Sequence, residues 1–79
     1  MNNKFTYYDY EDAYYLDDIS RCIVIGIYLL EKLKDKHSKE LIKSLKNLEY
    51  SWDMQQDSLQ KVHDTLSEVK RWLMSNYLN

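Results

Sequence analysis

The chain has no proline and only one glycine among its 79 residues. Turn-rich β folds use both residue types at their turns, so this scarcity argues against such a fold and favours long helices. The single cysteine, Cys22, excludes an internal disulfide. A chain of this size without a disulfide depends on very regular helix packing, on a metal or on a partner for its stability.

Long apolar runs are also missing. The longest, residues 22–30, is far shorter than the roughly 20 residues that span a bilayer. The first residues are polar and lead into an acidic, tyrosine-rich stretch, where a signal peptide would have an apolar segment. We therefore expect a cytoplasmic protein, located in the host cytoplasm if it is viral. The abundance of Asn, Lys, Ile and Tyr is typical of an AT-rich genome, such as that of a low-GC bacterium, a phage or a large DNA virus.

The strongest pattern in the sequence is a heptad repeat over residues 41–73. Apolar residues recur there at alternating spacings of three and four, as in the seam of a coiled coil. Gln55 is the polar exception, and a buried polar group in a seam can specify register at a cost in stability. The seam positions are Leu41, Leu45, Leu48, Trp52, Gln55, Leu59, Val62, Leu66, Val69 and Leu73.

A second apolar pattern predicts a first helix over residues 10–35. Asp9 would be its N-cap, and residues 1–8 would form an extended or frayed arm. Ser38 would cap the next helix, which the unbroken heptad phase extends over residues 38–77. We predict a single all-α domain, an antiparallel helical hairpin whose long second helix outreaches the first and leaves its last turns bare.

The Ser, Asp and Gln residues of the segment 51–58 allow a different fold. Asp57 could cap a third helix, with Gln60 at the third helical position. The chain would then break near residues 53–57 and form a three-helix bundle that buries its apolar residues within one chain. The sequence leaves both folds open, and the heptad phase favours the continuous helix.

Residue types that carry chemistry are scattered. The residues three before His37 and His63 are Lys34 and Gln60, so the Glu-x-x-His pairs of di-iron bundles are missing. A small helical chain also has little room for a pocket that preorganises a nucleophile and a base. We predict a protein that is not an enzyme and that uses no metal and no cofactor.

The N-terminal stretch is the sharpest functional candidate, because it places tyrosines among acidic residues. Tyrosine offers a large contact area at low entropic cost, and acids beside it suit a basic partner surface. An alternative is that these tyrosines extend the core or pack over the end of the bundle. The predicted partner-binding residues are Tyr7, Tyr8, Asp9, Tyr10, Glu11, Asp12 and Tyr14.

The bare end of the long helix predicts self-association. An exposed apolar stripe of this kind usually marks an interface, and here it would form a homodimer. The residues predicted for this contact are Leu59, Val62, Leu66, Val69, Trp72, Leu73 and Tyr77.

These features indicate a non-enzymatic regulator or inhibitor that occupies the surface of a partner protein, as phage- or virus-type inhibitors of host proteins do. An alternative is a structural coiled-coil protein that assembles with itself. Nucleic-acid binding through the lysine-rich turn is less favoured, because acids are interleaved there and arginine is scarce. The lysines of that region are Lys32, Lys34, Lys36, Lys39, Lys43 and Lys46.

Overall fold

The computed structural model of the chain describes residues 5–53 and 58–78. These residues form four α-helices: α1 (Tyr7–Tyr15), α2 (Ile19–Glu31), α3 (Lys36–Asp53) and α4 (Leu59–Tyr77). The predicted all-helical class is confirmed, and the described part of the chain contains no strand. None of these four helices is both long and apolar enough to cross a membrane.

The single first helix predicted over residues 10–35 is wrong, because the chain forms two helices there. Asp17 takes a left-handed backbone with φ 58°, a conformation that Asp tolerates better than most residues. Asp18 then caps α2 by accepting a hydrogen bond from the Arg21 amide at 3.3 Å. Leu16 is exposed at this turn.

The helix α1 begins earlier than the sequence pattern indicated. Thr6, rather than Asp9, is the N-cap, and helix starts at Tyr7 within the segment predicted as an extended arm. Thr6 and Asp9 form a capping box, in which the Asp9 carboxylate accepts from the Thr6 amide at 2.8 Å. The predicted arm is therefore wrong at residues 7 and 8, and residues 1–4 lie outside the described part of the chain.

The start of α3 depends on Asp35 rather than on the predicted cap Ser38. The Asp35 carboxylate accepts from the Ser38 amide at 3.1 Å and from the Ser38 hydroxyl at 2.5 Å. The hydrogen bond from the Ser38 side chain is the main cause that lowers the pKa of Asp35. Ser38 itself is fully buried in the first turn of α3, where its hydroxyl also accepts from the Trp72 indole at 2.8 Å.

The continuous second helix over residues 38–77 is also wrong. Ser58 has an extended backbone, with φ −75° and ψ 155°, and caps α4 by accepting from the Lys61 amide at 3.2 Å. The alternative three-helix bundle has too few helices, because residues 10–35 contain the turn between α1 and α2. Gln55 and the predicted cap Asp57 lie outside the described residues.

The four helices meet around Gly26 of α2. A Cβ atom at this position would lie 2.9 Å from Leu45 Cδ1, 3.2 Å from Tyr10 Cε2 and 3.6 Å from Val69 Cγ1. These three atoms belong to α3, α1 and α4 respectively. Each of the other three helices therefore packs a side chain against Gly26, the one residue of α2 without a side chain. The backbones of α2 and α4 each approach those of all the other helices, whereas no Cα atom of α1 lies within 8 Å of a Cα atom of α3.

We expect Gly26→Ala to lower the free energy of unfolding by about 1 kcal/mol. Replacing a helical glycine by alanine normally raises stability by up to about 1 kcal/mol. Here the added methyl group must displace the buried ends of Leu45 and Tyr10, and overpacking of a core typically costs about 1–3 kcal/mol. Urea denaturation of the two proteins measures the difference. An increase in stability would show that the core around Gly26 has room for a methyl group.

Candidate protein interface on helix α1

Helix α1 divides the predicted partner-binding tyrosines between the core and the surface. Tyr7 and Tyr10 are only 2% and 0% exposed. The Tyr10 hydroxyl donates to the Leu66 carbonyl oxygen at 2.7 Å, which ties α1 to α4. These two side chains are enclosed by their own chain and cannot reach a partner in this structure, which corrects the role predicted for them.

The opposite side of α1 faces solvent. Tyr8 is 60% exposed and Tyr15 is 67% exposed, and Asp12 is exposed between them. Their spacing of four and three residues places the three side chains on one side of the helix. We define the α1 face as Tyr8, Glu11, Asp12, Tyr15 and Leu16.

Lys70 of α4 supports the edge of the α1 face. Its Nζ atom lies 5.4 Å from the ring centroid of Tyr15 and 5.6 Å from that of Tyr14, a half-buried residue. The Tyr14 and Tyr15 rings also meet edge-on, with their centroids 5.2 Å apart. Cation–π and aromatic contacts of this kind restrain an exposed ring, and a ring that is already ordered loses less entropy when it binds.

The neighbouring tyrosines raise the pKa of Lys70. Desolvation acts to lower the pKa of Lys70, but hydrogen bonding to Tyr15 and interactions with Tyr7 outweigh it, and the net pKa is raised. Lys70 Nζ also lies 3.6 Å from the Met74 sulfur, and the Met74 side chain is 38% exposed. The α1 face is therefore bordered by a cation and a thioether that the sequence pattern did not associate with it.

The acids of α1 have different environments. The Asp9 carboxylate is engaged in the capping box, and Glu11 accepts from the Tyr7 hydroxyl at 3.5 Å. Within the described residues, neither Glu11 nor Asp12 has a basic side chain within 4.0 Å. The α1 face therefore combines exposed aromatic rings with negative charge that the described part of the chain does not neutralise.

Most of the predicted self-association residues lie in the chain's own core. The expectation of a bare helix end is wrong, because α4 is a separate helix that packs on α1, α2 and α3. Its inward positions are no more than 2% exposed, and they are Val62, Leu66, Val69 and Leu73. These side chains are not available to a second copy while the chain is folded in this way.

The other three predicted self-association residues differ in exposure. Trp72 is partly buried, with its indole bound to Ser38, and the Tyr77 hydroxyl donates to the Leu29 carbonyl oxygen at 2.6 Å. Leu59, in the first turn of α4, is 55% exposed. Only Leu59 in this set is a largely exposed side chain, so the predicted surface is not a continuous apolar stripe.

An open groove of about 320 Å³ adjoins the α1 face at Tyr8. It lies between the start of α1, the end of α2 and the end of α4, and its lining is largely apolar. Lys32 provides a positive charge in the lining. Other residues that line the groove include Phe5, Leu29, Tyr77 and Leu78.

Other chemistry-bearing side chains lie apart. Burial raises the pKa of the Cys22 thiol to about 11. The His37 ring meets the Trp72 ring with centroids 4.4 Å apart, and His63 Nε2 lies 3.2 Å from Asp17 Oδ1. Among the residues that the structure describes, no three His, Cys, Asp or Glu side chains are grouped to hold a metal ion.

No protein-family model matches the chain, and comparisons with curated proteins and with solved structures give no significant match. The chain's own surfaces are therefore the basis on which a function can be inferred. The α1 face is the candidate site, because exposed tyrosines and unneutralised charge coincide there. Tyr15 and Leu16 were missed as site residues, although helical spacing from Tyr8 and Asp12 reaches both.

We expect alanine substitutions to separate the two groups of tyrosines. Tyr7→Ala and Tyr10→Ala should each lower the free energy of unfolding by about 3–5 kcal/mol, because they leave cavities in the core. Tyr8→Ala and Tyr15→Ala should cost no more than about 1 kcal/mol, since the side chains are exposed. Tyr10→Phe, which removes only the bond to Leu66, should cost about 1 kcal/mol. Urea unfolding tests the division, and an equal cost for Tyr8→Ala and Tyr10→Ala would contradict it.

We also expect the protein to lose stability at alkaline pH. Burial raises the pKa of Cys22 to about 11 and raises that of Tyr10 above its usual range. Both groups are neutral in the fold and ionise more readily when unfolded, so their contribution is present below about pH 9 and is lost as the pH rises. Urea unfolding between about pH 8 and pH 11 measures how steeply the free energy of unfolding falls with pH.

Two variants test the origin of this slope. Cys22→Ala should reduce the loss of stability between about pH 9 and pH 11, and Tyr10→Phe should reduce it above about pH 10. The control Ile25→Val, at a buried residue that does not titrate, should lower stability similarly at every pH. Slopes unchanged in both test variants would assign the alkaline loss to other groups.

Proposed function

We propose that the chain is a non-enzymatic protein-binding module, a regulator or inhibitor that occupies a basic and partly apolar surface of a partner protein. The observation that carries this proposal is the α1 face. It presents Tyr8 and Tyr15, each more than half exposed, beside Leu16 and the acids Glu11 and Asp12.

Burial of the exposed rings against a partner would supply the favourable free energy of binding. Full burial of a large apolar side chain contributes about 1.5–3 kcal/mol, and tyrosine is enriched among the residues that dominate binding energy. Tyr15 is restrained by Lys70 and by the Tyr14 ring, so less freedom is lost when a partner covers it. Tyr8 likewise meets the buried Tyr7 ring, with centroids 5.7 Å apart.

The acids Glu11 and Asp12 would steer a basic partner towards the α1 face. Unneutralised carboxylates at the edge of an interface steer a basic partner and accelerate encounter more than they raise affinity. Glu11 and Asp12 lie next to the exposed rings along α1, so a partner with basic residues around an apolar patch would match both features. Such a partner would bind faster at low ionic strength, because salt screens exposed charges.

The groove beside Tyr8 extends the proposed interface. Its volume of about 320 Å³ is sufficient for an apolar side chain that projects from a partner. Anchors that fill such depressions typically contribute most of the energy of an interface. Tyr8 belongs to both the groove and the α1 face, which makes the two surfaces continuous.

The alternative functions have less support. A coiled coil through α4 would need side chains that are buried among α1, α2 and α3, as Val69 and Leu73 are. Nucleic-acid binding would be favoured by a basic chain, whereas this chain has a net charge of −2. We therefore place protein binding through the α1 face ahead of both.

Affinity capture from a host lysate, followed by mass spectrometry, tests the proposal. The double variant Tyr8→Ala/Tyr15→Ala should lose at least about 90% of the specifically captured protein, since two hot-spot side chains are truncated together. The control Tyr50→Ala removes an equally exposed tyrosine from α3 and should retain capture. Circular dichroism checks that all variants are helical. Capture of the same proteins in the same amounts by the double variant would refute the role of the α1 face.

A further inference from the structure

A second charged surface lies on α3. Four exposed lysines recur there at spacings of three and four residues, and Tyr50, which is 65% exposed, continues the same row. Helical periodicity places all five side chains on one side of the helix. We define the α3 face as Lys36, Lys39, Lys43, Lys46 and Tyr50.

The lysines of the α3 face are not neutralised within the described residues. None of the four has an acidic side chain within 4.0 Å there. Glu40, which lies beside the row, is 3.9 Å from His37 Nδ1. Like charges at these spacings repel one another along a helix, so an opposing acidic surface would be favourable.

The two faces cannot meet within one molecule. The helices α1 and α3 each pack on α2 and α4, and their own backbones stay more than 8 Å apart from Cα to Cα, so they lie on opposite sides of the α2–α4 pair. Their exposed sides therefore point away from each other. A contact between the acidic and the basic face requires two copies of the chain.

We propose that the α1 face of one copy binds the α3 face of a second copy, so that the chain associates head to tail. Glu11 and Asp12 would lie against the lysine row, and Tyr8 and Tyr15 would pack on the lysine stems and on Tyr50. The dimensions agree, because α1 has nine residues and the lysine row covers ten helical steps, roughly 14 Å and 15 Å. The two surfaces differ, so the assembly grows with concentration and does not close as a twofold dimer.

This association is weak and sensitive to salt. Exposed ion pairs contribute little individually, and salt screens them further. A second copy and a foreign basic partner would compete for the α1 face, and this competition is the one part of the inference that rests on the proposed function. Self-association itself requires no foreign partner.

The α3 face could instead meet the phosphates of a nucleic acid. Charge complementarity favours a second copy, because the acidic surface that fits the lysine row is present on the same chain. The lysine row also lacks arginine, the residue that binds phosphate with two parallel hydrogen bonds. Nucleic-acid binding is therefore an outcome that the experiment must be able to detect.

Charge reversal with complementation tests the inference. The α1 swap is Glu11→Lys/Asp12→Lys, and the α3 swap is Lys39→Glu/Lys43→Glu. Light scattering at about 20 mM salt should show the average molar mass of the natural chain at least doubling between about 10 µM and about 1 mM protein, and no increase at about 500 mM salt. A protein that carries only one of the two swaps should be monomeric at low salt. The protein that carries both swaps should associate again, because the signs of the two faces are then exchanged.

The control for net charge is Asp64→Lys/Glu68→Lys. It changes the charge of the exposed side of α4 by the same amount as the α1 swap, and it should leave association intact. A monomeric natural chain at low salt would overturn the inference, as would failure of the combined, helical variant to associate. Binding of a labelled DNA or RNA duplex by the monomeric chain, abolished by the α3 swap, would assign the face to nucleic acid instead.

The capture assay separates this inference from the proposed function. The α3 swap keeps the α1 face and should still capture a foreign partner while it loses self-association. A natural chain that captures a partner through Tyr8 and Tyr15 but stays monomeric would overturn the inference alone. A chain that self-associates, and whose Tyr8→Ala/Tyr15→Ala variant captures the same proteins, would overturn the proposed function alone.

Discussion

The close approach of three helices to Gly26 is the constraint on which the rest of the structure depends. Leu45, Tyr10 and Val69 reach this position from α3, α1 and α4, and a side chain at residue 26 would occupy space that they fill. A small chain without a disulfide has few other means of holding four helices together. The missing side chain therefore allows one core to be shared by all four helices.

The division of the tyrosines follows from this packing. Once Tyr10 is directed at Gly26, residues three away from it also face inward, and Tyr7 and Ala13 are indeed buried. The intervening positions must then face solvent, which exposes Tyr8, Asp12 and Tyr15. A candidate interface thus arises on α1 because a helix directs only part of its circumference to a core.

The acids of the α1 face and the lysines of the α3 face are kept apart by the same arrangement. The helices α2 and α4 lie between α1 and α3, so the acids of α1 and the lysines of α3 occupy opposite sides of the molecule. The net charge of −2 conceals this separation. Two surfaces of opposite sign on opposite sides of the molecule cannot pair within one copy, so each is left for a second molecule, and the proposed basic partner and a second copy would compete for the α1 face.

The sequence by itself determined the helical class, through missing proline and apolar residues spaced by three and four, and it identified tyrosine and acid on α1. Tertiary structure decided where the helices end and which tyrosines are exposed. The heptad phase continues through α3 and α4 because both helices direct the same spacing at one core, so periodicity did not reveal that the helix is interrupted before Leu59. Side-chain direction depends on neighbouring helices, and only their packing buried Tyr10 while it left Tyr8 and Tyr15 in solvent.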